Sequence, residues 1–266
     1  MIKLGVNTVL FGEREFRVAM EHIRWSGFDA AETSALVGMA NHLPVEDWRN
    51  HAAGIRAIVE DVGLPLSAVE LAANAEERLV PCCEACAEIG IPIVNIGPGG
   101  QQDNEDDLKR LIDHINAMME KVAPFGVTVC MKAHVGSCVH DTPTTLRIME
   151  GVSSPLFGID MDPSHIHRAG EVPKDALKAV VSRVKHVHIR DCVGLGPSPG
   201  LPEVQACGRG DIDLMGYCKV LVDAGYDGPV NLEVIGAKDY DLARQAIIAA
   251  ESYGYLNACL KACGGR

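Results

Sequence analysis

The stretch VCMKAHVG, residues 129–136, decides how the chain is read. Val129, Cys130 and Met131 have the character of a buried strand, which then ends in Lys132 and, two positions on, His134. A lysine is seldom left unpaired in a core, so the segment reads as a strand that delivers a polar group at its C-terminal end. The same arrangement recurs along the chain. Strand-like segments fall at 2–7, 28–33, 66–71, 91–97, 127–133, 156–162, 184–190 and 230–236. Helical patterns fill the gaps, among them 47–62, 106–123, 214–224 and 240–258. Each strand segment carries a polar residue at or near its C-terminal end: Asn7, Glu32, Glu70, Asn95, Lys132 with His134, Asp162, His188 and Glu233.

Eight strand-helix units in 266 residues predict one α/β domain over 1–266, a (β/α)8 TIM barrel. A doubly wound open sheet would carry a glycine-rich phosphate loop after its first strand, which VNTVLFGERE (6–15) does not supply. GPGG at 97–100 reads equally well as a turn. In a barrel the C-terminal strand ends form the active face, so the polar residues are expected to converge on one pocket, Asn7 and Glu70 among its substrate contacts.

Composition narrows the function. The formal net charge is −12, from 24 Lys+Arg against 36 Asp+Glu, which argues against sequence-independent nucleic-acid binding. No uncharged apolar run reaches the length of a membrane span, and the N-terminus lacks a secretory signal pattern. A cytoplasmic protein with reduced thiols is expected. The Cys-x-x-Cys spacing in PCCEACAEIG (81–90) has no second ligand pair to complete a zinc site, so its cysteines read as helix core.

Asp162, His188 and Glu233 end strands six, seven and eight. Two carboxylates and an imidazole converging there suit a divalent cation: Mn²⁺, Mg²⁺, Co²⁺ or Zn²⁺. The plain alternative is a hydrogen-bonded ion-pair network at the barrel mouth, against which stands the cost of two buried carboxylates without a counter-ion. Arg190 and Arg209 could anchor a phosphate or carboxylate of a substrate, or form surface salt bridges. The Gly- and Pro-rich stretch 192–210 is too long for an ordinary turn and reads as a lid or binding loop. Phe11 reads as a wall of the pocket or as core.

Several segments together resemble the xylose-isomerase-like barrels of the sugar isomerase/epimerase superfamily. They are GFDAAET (27–33), DMDPSHI (160–166), VKHVHIRD (184–191), GRGDID (208–213) and VNLEVIG (230–236). The resemblance implies metal-assisted proton transfer α to the carbonyl of a small keto sugar or polyol-derived ketone. It further implies Asp162, His188 and Glu233 as metal ligands, Glu233 also moving the proton, and His134 and His165 as substrate contacts. Asp162 is preferred to Asp160 because it stands three before His165. Lys132 occupies the place of the family's strand-five Glu ligand. Three readings follow, in order: a retained metal with Lys132 neutral or turned aside, an ammonium in place of the metal, and a Schiff base. A dehydratase of the inosose or dehydroshikimate type is the alternative to an isomerase, and a non-catalytic sugar-binding relative is a third. A DNA-repair endonuclease of this fold conflicts with the acidic charge and the missing Glu. The expected partner is a small carbohydrate; no nucleic acid or membrane is expected, and a homo-oligomer is compatible with the resemblance.

Overall fold

Strand β1 (Lys3–Asn7) pairs in parallel on both edges, with β2 (Ala30–Leu36) on one side and β8 (Pro229–Leu232) on the other. That double pairing closes the sheet. In the computed structural model, which describes residues 1–12 and 14–266, the circuit runs through β3 (Leu66–Ala72), β4 (Ile93–Ile96), β5 (Thr128–Lys132), β6 (Phe157–Asp160) and β7 (Val184–Ile189). A two-residue antiparallel strand, Ala40–Asn41, extends β2 beyond the barrel. The strands are buried almost throughout, as expected when helices cover a closed parallel sheet. The expected (β/α)8 barrel is present.

Local chemistry sets the helices that cover it. Helix α4 (Glu105–Val122) starts where Asn104 accepts the amide hydrogens of Asp106 and Asp107, with three acidic residues in its first turn against the positive helix end. Helix α5 (Thr142–Gly151) opens with a reciprocal cap between Asp141 and Thr144. Helix α3 (Glu76–Ile89) buries Cys82, Cys83 and Cys86 in the core, as the sequence reading has it. Phe11 is likewise core. Among the described residues no helix is long and apolar enough to cross a membrane.

Two strands end two or more residues earlier than the sequence suggests, and both differences move site residues. β6 stops at Asp160; Asp162 lies beyond it as the N-cap of a short helix, α6 (Pro163–Arg168), accepting the Ser164 amide hydrogen at 2.7 Å. Pro163 fixes that helix start, because its ring presets the first helical φ and lacks an N–H to satisfy. β8 stops at Leu232, and Glu233 follows immediately, its backbone N–H bonded to Ile189 O.

The barrel interior is polar. Glu32, Asn95, Asp160, His186, His188 and Asn231 are all fully buried. Asn95 and Asn231 donate to Glu32 at 2.7 and 3.3 Å, and Asn231 also meets His186 at 2.8 Å. Gly5 makes room for this, since a Cβ there would come within 2.1 Å of the Asn231 side-chain oxygen.

Candidate active site

A cavity of about 520 Å³ opens at the C-terminal ends of the strands. Glu70, Lys132, His134, His165, Arg190 and Glu233, all anticipated from sequence, line it. Arg168 and the loop residues Pro197, Ser198 and Pro199 line it as well. The stretch 192–210 thus borders the site, and Arg168 pins it by donating to Pro197 O at 2.7 Å.

Lys132 is the hub. Its ammonium lies 3.0 and 3.2 Å from the two Glu233 oxygens and 3.3 Å from Glu70 Oε1, with only 5% of the residue exposed. It also stands 3.2 Å from His188 Nδ1. Burial alone would lower the lysine pKa, but Glu233 and then Glu70 outweigh it, and the pKa ends above the ordinary value. Lys132 thus points into the site, not aside, and the two carboxyls favour its ammonium form.

The two carboxyls beside it are driven apart. Burial pushes Glu70 up to about 8 against the pull of Lys132. Burial acts on Glu233 too, but Arg190 and Lys132 overcome it and hold that carboxyl below the usual range. Near neutral pH the ammonium is flanked by one carboxylate and one largely protonated acid.

Below the hub, His188 Nε2 meets Glu32 at 2.8 Å and its Nδ1 lies 2.6 Å from Asp160. Burial lowers the imidazole pKa, but Asp160 and Glu32 together drive it well above the ordinary value. Beside the hub, Arg190 ties the remaining residues together. Its Nη2 is 2.8 Å from Asp162, 3.2 Å from Glu233 and 3.0 Å from His165 Nε2, while its Nε donates to Ser164 Oγ at 2.8 Å. Arg190 is 2% exposed, so the surface-salt-bridge reading does not describe it. His134 donates from Nδ1 to Val135 O and stacks near His165, ring centroids 4.2 Å apart.

Two expected residues lie elsewhere. Arg209 is outside the cavity, paired through two nitrogens with Glu251 on the surface. Asn7 is fully buried but caps the turn after β1, accepting the Val9 amide hydrogen at 2.9 Å. Arg168 was missed; a signal was available in its position three after His165 on one helix face. Asp160, passed over for Asp162, is the carboxyl that meets both β7 histidines: its Oδ1 lies 2.9 Å from His186 Nδ1 and accepts the His188 backbone N–H at 2.9 Å, and its Oδ2 stands 2.6 Å from His188 Nδ1 as an ion pair.

The expected metal ligands Asp162, His188 and Glu233 do not share a vacant centre. Asp162 is taken by Ser164 and Arg190, and Glu233 by Lys132 and Arg190. His188 faces Asp160 and Glu32. That triad does not fit a metal, because two protein cations already neutralise its carboxylates. Donors able to hold a divalent cation do occur in two buried groups: Glu32 with His186 and His188, and Glu70 with Asp160 and His188. In the second, Glu70 Oε2 has no hydrogen-bond partner among the described residues and lies 3.3 Å from His188 Nε2, but Glu70 and His188 are also neighbours of the Lys132 ammonium.

Fold and site together define a parallel barrel with a cavity lined by buried acidic and basic residues at the C-terminal ends of its strands. Residues 20–259 match the xylose isomerase-like TIM barrel family, and the chain belongs to it. An inosose dehydratase of Clostridium perfringens is 29% identical over 142 residues, 49% of this chain and 48% of that protein. The chain thus matches about half the length of that relative. Among solved structures, the D-psicose 3-epimerase of Clostridium cellulolyticum H10 with D-tagatose superposes with a TM-score of 0.81 at 16% identity, over 97% of this chain and 99% of that one. The IOLI protein with a bound zinc atom gives 0.80 at 18% identity, over 97% and 99%. At these identities the two structures establish the fold alone.

Proposed function

We propose that the chain is an enzyme that removes the proton α to the carbonyl of a small polyhydroxy ketone, with loss of water from the neighbouring carbon. The observation that carries this reading is the Lys132 ammonium held between Glu233 and Glu70 on the cavity floor. The ammonium donates a hydrogen bond to the substrate carbonyl and stabilises the enolate oxygen as charge develops there. Glu233, ionised, takes the α-proton; Glu70, holding its proton near neutral pH, delivers it to the departing hydroxyl. One C–H and one C–O bond break, a carbon-carbon double bond forms, and water leaves. A Schiff base is disfavoured because a charged ammonium is no nucleophile. The name of the inosose dehydratase relative supports elimination. The epimerase neighbour supports a variant in which the same pair returns the proton to carbon. The free cysteines fit a reducing, cytoplasmic setting.

A second reading rests on the unpartnered Glu70 Oε2. Glu70, Asp160 and His188 would hold a divalent cation once Lys132 releases Glu70 and His188, and the ion would polarise the carbonyl as a Lewis acid. The zinc in the IOLI neighbour supports it. The test is α-proton exchange and turnover of 2-keto-myo-inositol in D₂O, with and without EDTA, for the native chain and Lys132→Gln. Turnover that survives EDTA and vanishes in Lys132→Gln supports the ammonium. Loss in EDTA with recovery on Mn²⁺ supports the second reading. Binding without exchange in either condition would leave a sugar-binding protein and overturn both.

A further inference from the structure

One corner of the cavity holds buried hydrogen-bond donors with nothing among the described residues to receive them. His165 Nδ1 faces the backbone N–H of Val135 at 3.3 Å and Arg168 Nη2 at 3.0 Å. Both are obligatory donors, so Nδ1 is the acceptor nitrogen of this imidazole and Nε2 carries the hydrogen. Burial, and then the positive charge of Arg190, hold His165 well below its ordinary pKa, so the ring has no second proton. Yet Nε2–H faces Arg190 Nη2 at 3.0 Å, another donor. Arg190 Nη2 donates one hydrogen to Asp162 at 2.8 Å, and Glu233 lies 3.2 Å from the same nitrogen as an ion pair, so Nη2 has nothing to accept with. Arg190 Nη1 is buried with no partner among the described residues. Three N–H groups, one on His165 and two on Nη1, therefore lack an acceptor where both residues line the cavity. Leaving buried donors unmet is costly.

We infer that this corner is a carboxylate subsite, and that the ketone the enzyme takes is a polyhydroxy acid. The inference rests on the ketone reading above and deepens it. A planar carboxylate accepts from a guanidinium and a neighbouring N–H through its two oxygens. The wall charge agrees: three cations, Lys132, Arg168 and Arg190, face two carboxyls, Glu233 and Glu70. Arg168 adds charge rather than a free donor, since each of its nitrogens already has a partner.

The test uses three sugars that differ only at C1, with malonate as a plain carboxylate probe. Binding of 2-keto-D-gluconate, D-fructose, D-fructose 1-phosphate and malonate is measured by calorimetry on the full chain and on Arg190→Lys. The native chain should bind 2-keto-D-gluconate roughly tenfold or more tighter than D-fructose, the scale of one charge-assisted contact. Arg190→Lys, which keeps the charge but loses the forked donors, should erase that preference. Equal affinity for the two sugars would overturn the subsite while leaving the ketone reading intact. The native comparison stands alone if the variant fails to fold. Tighter binding of the 1-phosphate than of the acid would overturn the carboxylate assignment in favour of phosphate. Malonate bound with neither keto sugar bound would keep the subsite and overturn the ketone reading. No binding of acid sugar, phosphate or malonate at millimolar concentration would overturn the subsite.

Discussion

Replacing Lys132 with methionine keeps the chain length and removes the charge, so it isolates what the ammonium contributes. Breaking a buried ion pair by deleting one partner costs about 3–5 kcal/mol, because the other charge is left uncompensated. Here Glu233 retains Arg190 at 3.2 Å, and Glu70 can meet the loss by holding its proton. The lower end, about 3 kcal/mol, is therefore expected near pH 7. The loss should depend on pH in a definite direction. Lys132 itself has a raised pKa, so its contribution is complete below the unfolded lysine value and does not change between about pH 6 and pH 9. Glu70 does titrate in that range, at about 8 in the native chain. Without the ammonium its pKa moves higher still, so the variant's native state binds more protons than the native chain's does. The stability gap must then widen as pH rises through 8. Urea unfolding followed by circular dichroism at about pH 6 and about pH 9 measures it. A loss below about 1 kcal/mol, the scale of a surface pair, would refute the buried hub. So would a gap that narrows with rising pH.

Glu70→Gln removes a carboxyl whose native pKa lies above its unfolded value. Its contribution is complete below the unfolded pKa and declines as pH climbs toward 8. The native chain should lose stability relative to the variant by about 1.4 kcal/mol per pH unit between about pH 5 and pH 8; parallel curves in urea unfolding would contradict this. Lys132→Glu turns the central cation into a ligand beside Glu233 and His188, so Co²⁺ should bind with visible absorption bands that the native chain shows weakly or not at all. Equal spectra would mean that Lys132 does not govern that centre. Arg209→Ala should leave turnover unchanged and cost under about 1 kcal/mol in thermal unfolding, since its bonds to Glu251 are a surface pair; a tenfold fall in kcat/KM would place Arg209 in the site.

The barrel was legible because its signal is distributed. Eight apolar segments with a polar residue at or near each C-terminal end survive errors of two or three residues at their boundaries. The boundary errors had consequences only where the site is dense. Asp160 and Asp162 differ by two positions, so alternation along an extended strand sends both toward the same face, and spacing relative to His165 chose between them. Backbone geometry separates them. Asp160 stays in the strand, in register with Lys132 and His186. Asp162 leaves the sheet and turns its carboxyl to a helix start and to Arg190.

Arg190 shows what a pattern of residue types does not contain. Next to Asp191 and at the end of a strand, it satisfies the sequence description of a surface ion pair as well as that of a substrate contact. What decides between them is depth: the side chain is almost wholly buried and reaches Asp162, Ser164, His165 and Glu233, residues 25 to 43 positions away. The same depth changes the meaning of Lys132. A lysine exchanged for a metal-binding Glu on a solvated surface would merely weaken metal binding. Set between Glu233 and Glu70, it becomes the cation of the site and holds one carboxyl ionised while burial keeps the other protonated. An acid and a base on either side of one positive charge are what α-proton transfer requires, so in the proposed mechanism the exchange that breaks the expected ligand set would supply another route to the same chemistry.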